Sequence, residues 1–145
     1  MRIQPIILVL LLIFNAPIAL GKPVKSRLNL DSTITQLSLI GDISLYKQVF
    51  KESYKLAPVD QKEDLKVIDK ILLAVKYAAL NDSINAQSNR LFAEAEKLAS
   101  LQKDDALNIW VNSHIGFYYY SYSALIKAFP YYLKSARALQ IIPYI

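Results

Sequence analysis

Apolar residues recur along most of this chain at the three- and four-residue spacing of amphipathic helices, and no segment alternates as a strand would. Between residues 61 and 80, two apolar stripes lie side by side on one predicted helix: Leu65, Ile68, Leu72, Val75 and Ala79, and Val67, Ile71, Ala74 and Ala78. A helix that is apolar on more than half of its circumference packs on two sides. The pattern predicts an all-α domain of about five helices over residues 31–145.

Polar residues between the apolar runs predict where these helices begin. Asp42 and Asp104 are suitable N-caps, and Asp60 with Glu63 resembles a capping box. Residues 81–83 break the pattern and are expected to cap the next helix.

The last helix is expected to begin near Lys127, with Pro130 in its first turn, where the missing N–H costs little. The predicted helix starts therefore recur about every 22 residues, which gives a two-helix unit of about 44.

Residues 109–140 carry a spaced set of small and aromatic residues, namely Asn112, Ile115, Gly116, Tyr119, Ala128 and Tyr132. The glycine and the alanine would let two antiparallel helices approach closely, while Ile115, Tyr119 and Tyr132 fill the space around that contact. In order and spacing this set resembles a tetratricopeptide (TPR) repeat. The resemblance implies antiparallel helical hairpins stacked as a short α-solenoid. For residues 31–103 the long unit fits either extended TPR helices or another α-solenoid.

The resemblance also implies a binding groove, because the first helix of a TPR repeat lines it. The matching positions are Trp110, Ser113, Phe117, Tyr120 and Ser121. Three rigid aromatic side chains would suit an extended peptide or a helix of a protein partner. The alternative is that these aromatics pack against a further helix. None of these positions is Lys or Arg, which argues against a clamp for a terminal carboxylate.

The expected function is therefore a non-enzymatic protein–protein interaction scaffold. Two alternatives stay open: a truncated N-terminal sensor region of a bacterial signalling protein (histidine kinase or transcriptional regulator), and an exported glycan-binding protein that uses the tyrosines. His114 is the only histidine, and no carboxylate stands three or four residues from it. We therefore expect no catalytic residues, no metal and no cofactor.

The N-terminus resembles a secretory signal peptide over residues 1–21. Arg2 precedes an apolar run at residues 6–14, and Ala19 and Gly21 are small residues at the positions a signal peptidase recognises. We predict export to the periplasm or the extracellular space, a disordered lead at 22–30, and no membrane span after cleavage. The chain has no cysteine, so a packed core and not disulfides must stabilise it.

The charge and the C-terminus bear on partners. The net charge is +5, but the lysines are dispersed among acidic residues, so we expect no nucleic-acid partner. The chain ends on a mostly apolar segment, with Ala138, Leu139, Ile141, Ile142 and Ile145, whereas a solenoid normally finishes with a polar capping face. We expect association through this end, or a continuation of the array in a longer protein.

Overall fold

A computed structural model describes residues 31–139 as six α-helices and one short 3₁₀ turn, without strands. The prediction of an all-α fold is confirmed, and the predicted signal peptide, the lead and residues 140–145 lie outside the described residues. None of the described helices is long and apolar enough to cross a bilayer. The helices are α1 (Asp31–Leu39), α2 (Ile43–Leu56), α3 (Lys62–Asn81), α4 (Ala86–Gln102), α5 (Asp105–Ser121) and α6 (Leu125–Ala138), with the 3₁₀ turn at Val59–Gln61.

The helices pack as a repeat-like series of hairpins. The most extensive contacts join α3 to α4 and α5 to α6, and each helix also contacts the next one along the chain. In addition, α1 contacts α3 and α3 contacts α5. First helices of successive hairpins therefore lie against one another.

Helix α3 lies at the centre of this series and is packed on two sides, as its two apolar stripes predict. Leu65, Ile68, Ile71 and Ala74 are at most 1 % exposed. The stripes reach the surface only towards the end of the helix, where Val75 is 40 % exposed. This helix is therefore the centre of the hydrophobic core, and α5 of the last hairpin packs against it.

Polar side chains join the first two helices to α3. The ammonium group of Lys76 donates to the carbonyl oxygens of Ser38 (3.2 Å) and Ile40 (2.6 Å), which closes the C-terminal end of α1. The hydroxyl of the fully buried Tyr46 donates to a carboxylate oxygen of Asp69 at 2.8 Å. Burial raises the pKa of Asp69, and the bond from Tyr46 partly opposes that rise.

Two of the predicted caps are present. The carboxylate of Asp42 accepts from the backbone N–H of Leu45 at 2.7 Å, and that of Asp104 accepts from Leu107 at 3.0 Å. Both aspartates have extended backbone conformations, as N-caps do.

Three predicted boundaries are wrong. The capping box of Asp60 and Glu63 does not form, because Asp60 lies inside the 3₁₀ turn and Glu63 pairs with Lys66. Residues 81–83 end α3 and do not begin α4, whose N-cap is Asn85, an acceptor from Ser88 N–H at 2.9 Å. Helix α6 begins at Leu125, two residues early, so Pro130 lies in its second turn.

Candidate functional site

One side of α5 is left open by the packing of the last hairpin. Trp110, His114, Phe117 and Ser121 are spaced so that they fall within about 60° of one another around the helix axis. We call these four residues the α5 face. Phe117 is 40 % exposed, Ser121 is exposed, and Trp110 and His114 are half-buried. Three of the five predicted groove positions therefore share one solvent-facing surface.

His114 braces the middle of the α5 face, a role that the sequence analysis did not assign to it. Its ring lies against that of Trp110, with centroids 4.1 Å apart. Its Nδ1 is 2.8 Å from the carbonyl oxygen of Trp110, so Nδ1 carries the proton and donates. Burial lowers the pKa of His114, and this hydrogen bond partly opposes the effect. The sequence did contain a signal for this contact, because His114 follows Trp110 by four residues and such side chains are neighbours on a helix.

Two predicted groove residues belong to other surroundings. Ser113 is only 4 % exposed and shares a hydrogen bond of 3.2 Å with Ser135 of α6, so it lies inside the hairpin and is removed from the candidate site. Tyr120 is half-buried on the α6 side of the helix. Its neighbour Tyr132 has its pKa raised to about 12, chiefly by burial and to a smaller extent by Tyr120.

The predicted packing residues differ in burial, and Tyr119 and Tyr132 are half-buried. Ile115 and Ala128 are buried. The ring of Tyr132 covers Gly116. A Cβ atom placed on Gly116 would lie 3.0 to 3.2 Å from three of its ring atoms. The ring of Tyr119 stacks on Tyr131 with centroids 5.8 Å apart.

The other aromatic residues of α5 tie this helix to the hairpin before it. The hydroxyl of Tyr118 donates to Asn89 at 3.0 Å and accepts from the backbone N–H of Asn85 at 3.2 Å. The hydroxyl of Tyr122 donates to the carbonyl of Ala78 at 3.1 Å. These tyrosines therefore hold helices together, and the cluster of aromatics between residues 117 and 122 is not one continuous exposed platform.

The chemistry available at the α5 face is apolar contact with a few polar edges. Helix α5 carries no Lys or Arg, and its acidic residue Asp105 lies in its first turn. The hydroxyl of Ser121 donates to the carbonyl of Phe117 at 2.8 Å, which leaves it as an acceptor towards solvent. Such a surface suits an uncharged partner segment that is mainly apolar and carries a few polar groups.

A concavity lies between α2, α3 and α4. It is an open cleft of about 470 Å³, with Leu73 and Tyr77 on its walls and Lys47 and Arg90 among its lining residues. Arg90 also pairs with Glu94 through Nε at 2.9 Å, so part of the positive charge of the cleft is neutralised. Two cations therefore line this cleft, whereas α5 carries none.

Among residues 31–139, no group of three or more His, Cys, Asp or Glu side chains is arranged to hold a metal ion. Comparison with known proteins gives no match to a family model, to a curated protein or to a solved structure. The functional argument therefore rests on the surfaces of this chain alone.

Proposed function

We propose that this chain is a non-enzymatic scaffold that binds a protein or peptide partner through the α5 face. The observation that carries the proposal is the exposure of Phe117 beside the half-buried ring pair of Trp110 and His114, on a helix whose other sides are packed. Aromatic side chains held in place by their neighbours bury a large area on binding and lose little conformational entropy. Trp and Tyr are also enriched among the residues that dominate binding energy.

The packing of the hairpins supports the same proposal. In a TPR-like solenoid, the first helices of successive hairpins line the binding surface. Here α1 contacts α3 and α3 contacts α5, as successive first helices would. The exported location of the scaffold is also part of the proposal, and the signal-like residues 1–21 support it. The glycan-binding alternative loses support because Tyr118 and Tyr122 are engaged in hydrogen bonds between helices.

A displayed library of random peptides tests the proposal. We expect wild-type protein to select peptides with apolar or aromatic anchors. Phe117→Ala should weaken the selected peptides about thirtyfold, which corresponds to the loss of one hot-spot contact of about 2 kcal/mol. Because Trp110 is the only tryptophan of the chain, binding should also shift its fluorescence emission.

Leu56→Ala provides the matched control. Leu56 is 86 % exposed at the end of α2, so its truncation removes an exposed apolar side chain far along the chain from α5. Circular dichroism must show that both variants remain folded. Failure to select any peptide, or selected peptides that bind Phe117→Ala as tightly as wild type, would refute the α5 face as the binding surface.

A further inference from the structure

Helix α6 exposes a set of large apolar side chains that no described helix covers. Leu125, Ile126 and Phe129 are 58 %, 92 % and 65 % exposed. With Pro130 and the half-buried Leu133, they recur at the spacing of one helix face, which we call the α6 face. The adjoining side of α6 carries Ala128, Tyr132 and Ser135, which pack on α5.

The charge of α6 is of one sign. Lys127, Lys134 and Arg137 are all exposed, and the helix contains no acidic residue. Only Lys134 has an ion-pair partner among the described residues, namely Glu96 of α4. Lys127 lies over the ring of Tyr119, 5.8 Å from its centroid, on the flank of the α6 face. The surface therefore combines exposed apolar side chains with unneutralised positive charge.

The charge decides between possible occupants. A second copy of the chain, docked face to face, would bring two sets of the same cations together, which is unfavourable in a desolvated contact. An anionic bilayer surface satisfies both features, because the acyl region takes up apolar side chains while lysine and arginine extend to the headgroups.

The distribution of the side chains agrees with a lipid surface. Within α6, the three most exposed large apolar residues all lie in the first two turns, directly after the turn that follows Tyr122, whereas the cations continue to Arg137. A short apolar projection can enter the headgroup boundary while the remaining helix lies along it. A groove-bound helix would instead be expected to contact apolar anchors along the whole face.

We propose that the α6 face docks peripherally on anionic membrane surfaces, a property separate from partner binding at the α5 face. The apolar side chains enter the interface and Lys127 and Arg137 contact the lipid phosphates. Each cation near an anionic surface strengthens partition by about fivefold, and salt screens this contribution. Binding is therefore expected to depend on anionic lipid and to weaken as salt is added.

Vesicle co-sedimentation of the full chain tests this proposal, with vesicles of phosphatidylcholine alone or with equal parts of phosphatidylglycerol. We expect wild type to bind the phosphatidylglycerol vesicles and to be released by salt. Ile126→Asp should lose this binding, and Lys127→Ala and Arg137→Ala should each reduce it about fivefold. The apolar run at residues 6–14 is present in every variant, so differences between variants report on α6.

Leu56→Asp is the matched control for Ile126→Asp, because both introduce one negative charge at a highly exposed apolar position. It should bind vesicles more strongly than Ile126→Asp does. Phe117→Ala should bind the vesicles as wild type does. Loss of membrane binding by the α6 face can therefore be told apart from loss of peptide binding by the α5 face. Equal partition of wild type and Ile126→Asp would overturn the proposal. So would a dimer, seen by light scattering without lipid, that Ile126→Asp dissociates.

Discussion

Replacing Gly116 with leucine tests the closest packing between α5 and α6. A Cβ at this position would lie 3.0 Å from Cε1, 3.1 Å from Cδ1 and 3.2 Å from Cζ of Tyr132. These distances are well inside ordinary van der Waals contact, and a leucine adds three more carbon atoms beyond Cβ. The ring of Tyr132 must move, or the two helices must separate.

The size of the effect follows from two opposing contributions. Overpacking a well-packed contact costs up to about 3 kcal/mol, whereas removing glycine from a helix interior returns about 1 kcal/mol. The net loss is therefore about 2 kcal/mol. For a domain of about 110 residues, each kcal/mol changes the melting temperature by roughly 4 °C, so we expect Gly116→Leu to melt about 8 °C lower.

Thermal unfolding followed by circular dichroism measures this loss, with Gly41→Leu as control. A Cβ on Gly41 would meet nothing within 4 Å, so that variant should melt close to wild type. Ala128→Leu should also melt several degrees lower, because Ala128 is 2 % exposed inside the same hairpin.

A double-mutant cycle assigns the effect to the ring. Tyr132→Ala opens space beside Gly116, so leucine should cost less in that background than in wild type, by about 1–2 kcal/mol. If Gly116→Leu melts like Gly41→Leu, or if its cost is the same with and without the Tyr132 ring, this account of the hairpin contact is wrong.

Three further predictions concern polar groups. Lys76→Met should speed hydrogen exchange of α1 amides about tenfold or more while α5 is unchanged, because the ammonium bonds that close α1 are lost. The folded-state pKa of Asp69 is raised, so ionisation of this carboxyl destabilises the folded protein as the pH rises. The free energy of unfolding of Asp69→Asn, measured in urea, should therefore compare more favourably with that of wild type at about pH 7 than at about pH 3. The same difference in free energy at both pH values would contradict this. The pKa of His114 is lowered in the folded protein, so wild type should lose stability as the pH falls below about 6.5, and His114→Gln should lose less over the same range.

The sequence by itself was sufficient to predict the helical class of the described residues and two of its caps. Spacings of three and four residues specify an apolar helix face wherever the helix lies, and Asp42 and Asp104 each stand at the start of an apolar run. The two-sided burial of α3 was predictable for the same reason. These features depend on residues that are close together in the sequence, so the spacing of residue types is sufficient to predict them.

The start of α4 was predicted wrongly because several neighbouring residues could each serve as its N-cap. Asp82, Ser83 and Asn85 are all good capping residues before α4. The choice among them depends on where α3 ends, and Asp82 closes α3 in a left-handed conformation with φ of 45°. Aspartate tolerates that conformation better than most residues, and the helix start is thereby displaced to Asn85.

Only the tertiary structure decided which of the α5 side chains face solvent. Ser113, Phe117 and Tyr120 differ little in local pattern, but Ser113 meets Ser135 of α6 and is buried, while Phe117 is 40 % exposed. The partner of Gly116 was decided in the same way, because a neighbouring helix places Tyr132 there. A helix face is a property of one sequence segment, but its exposure depends on which other segments pack beside it.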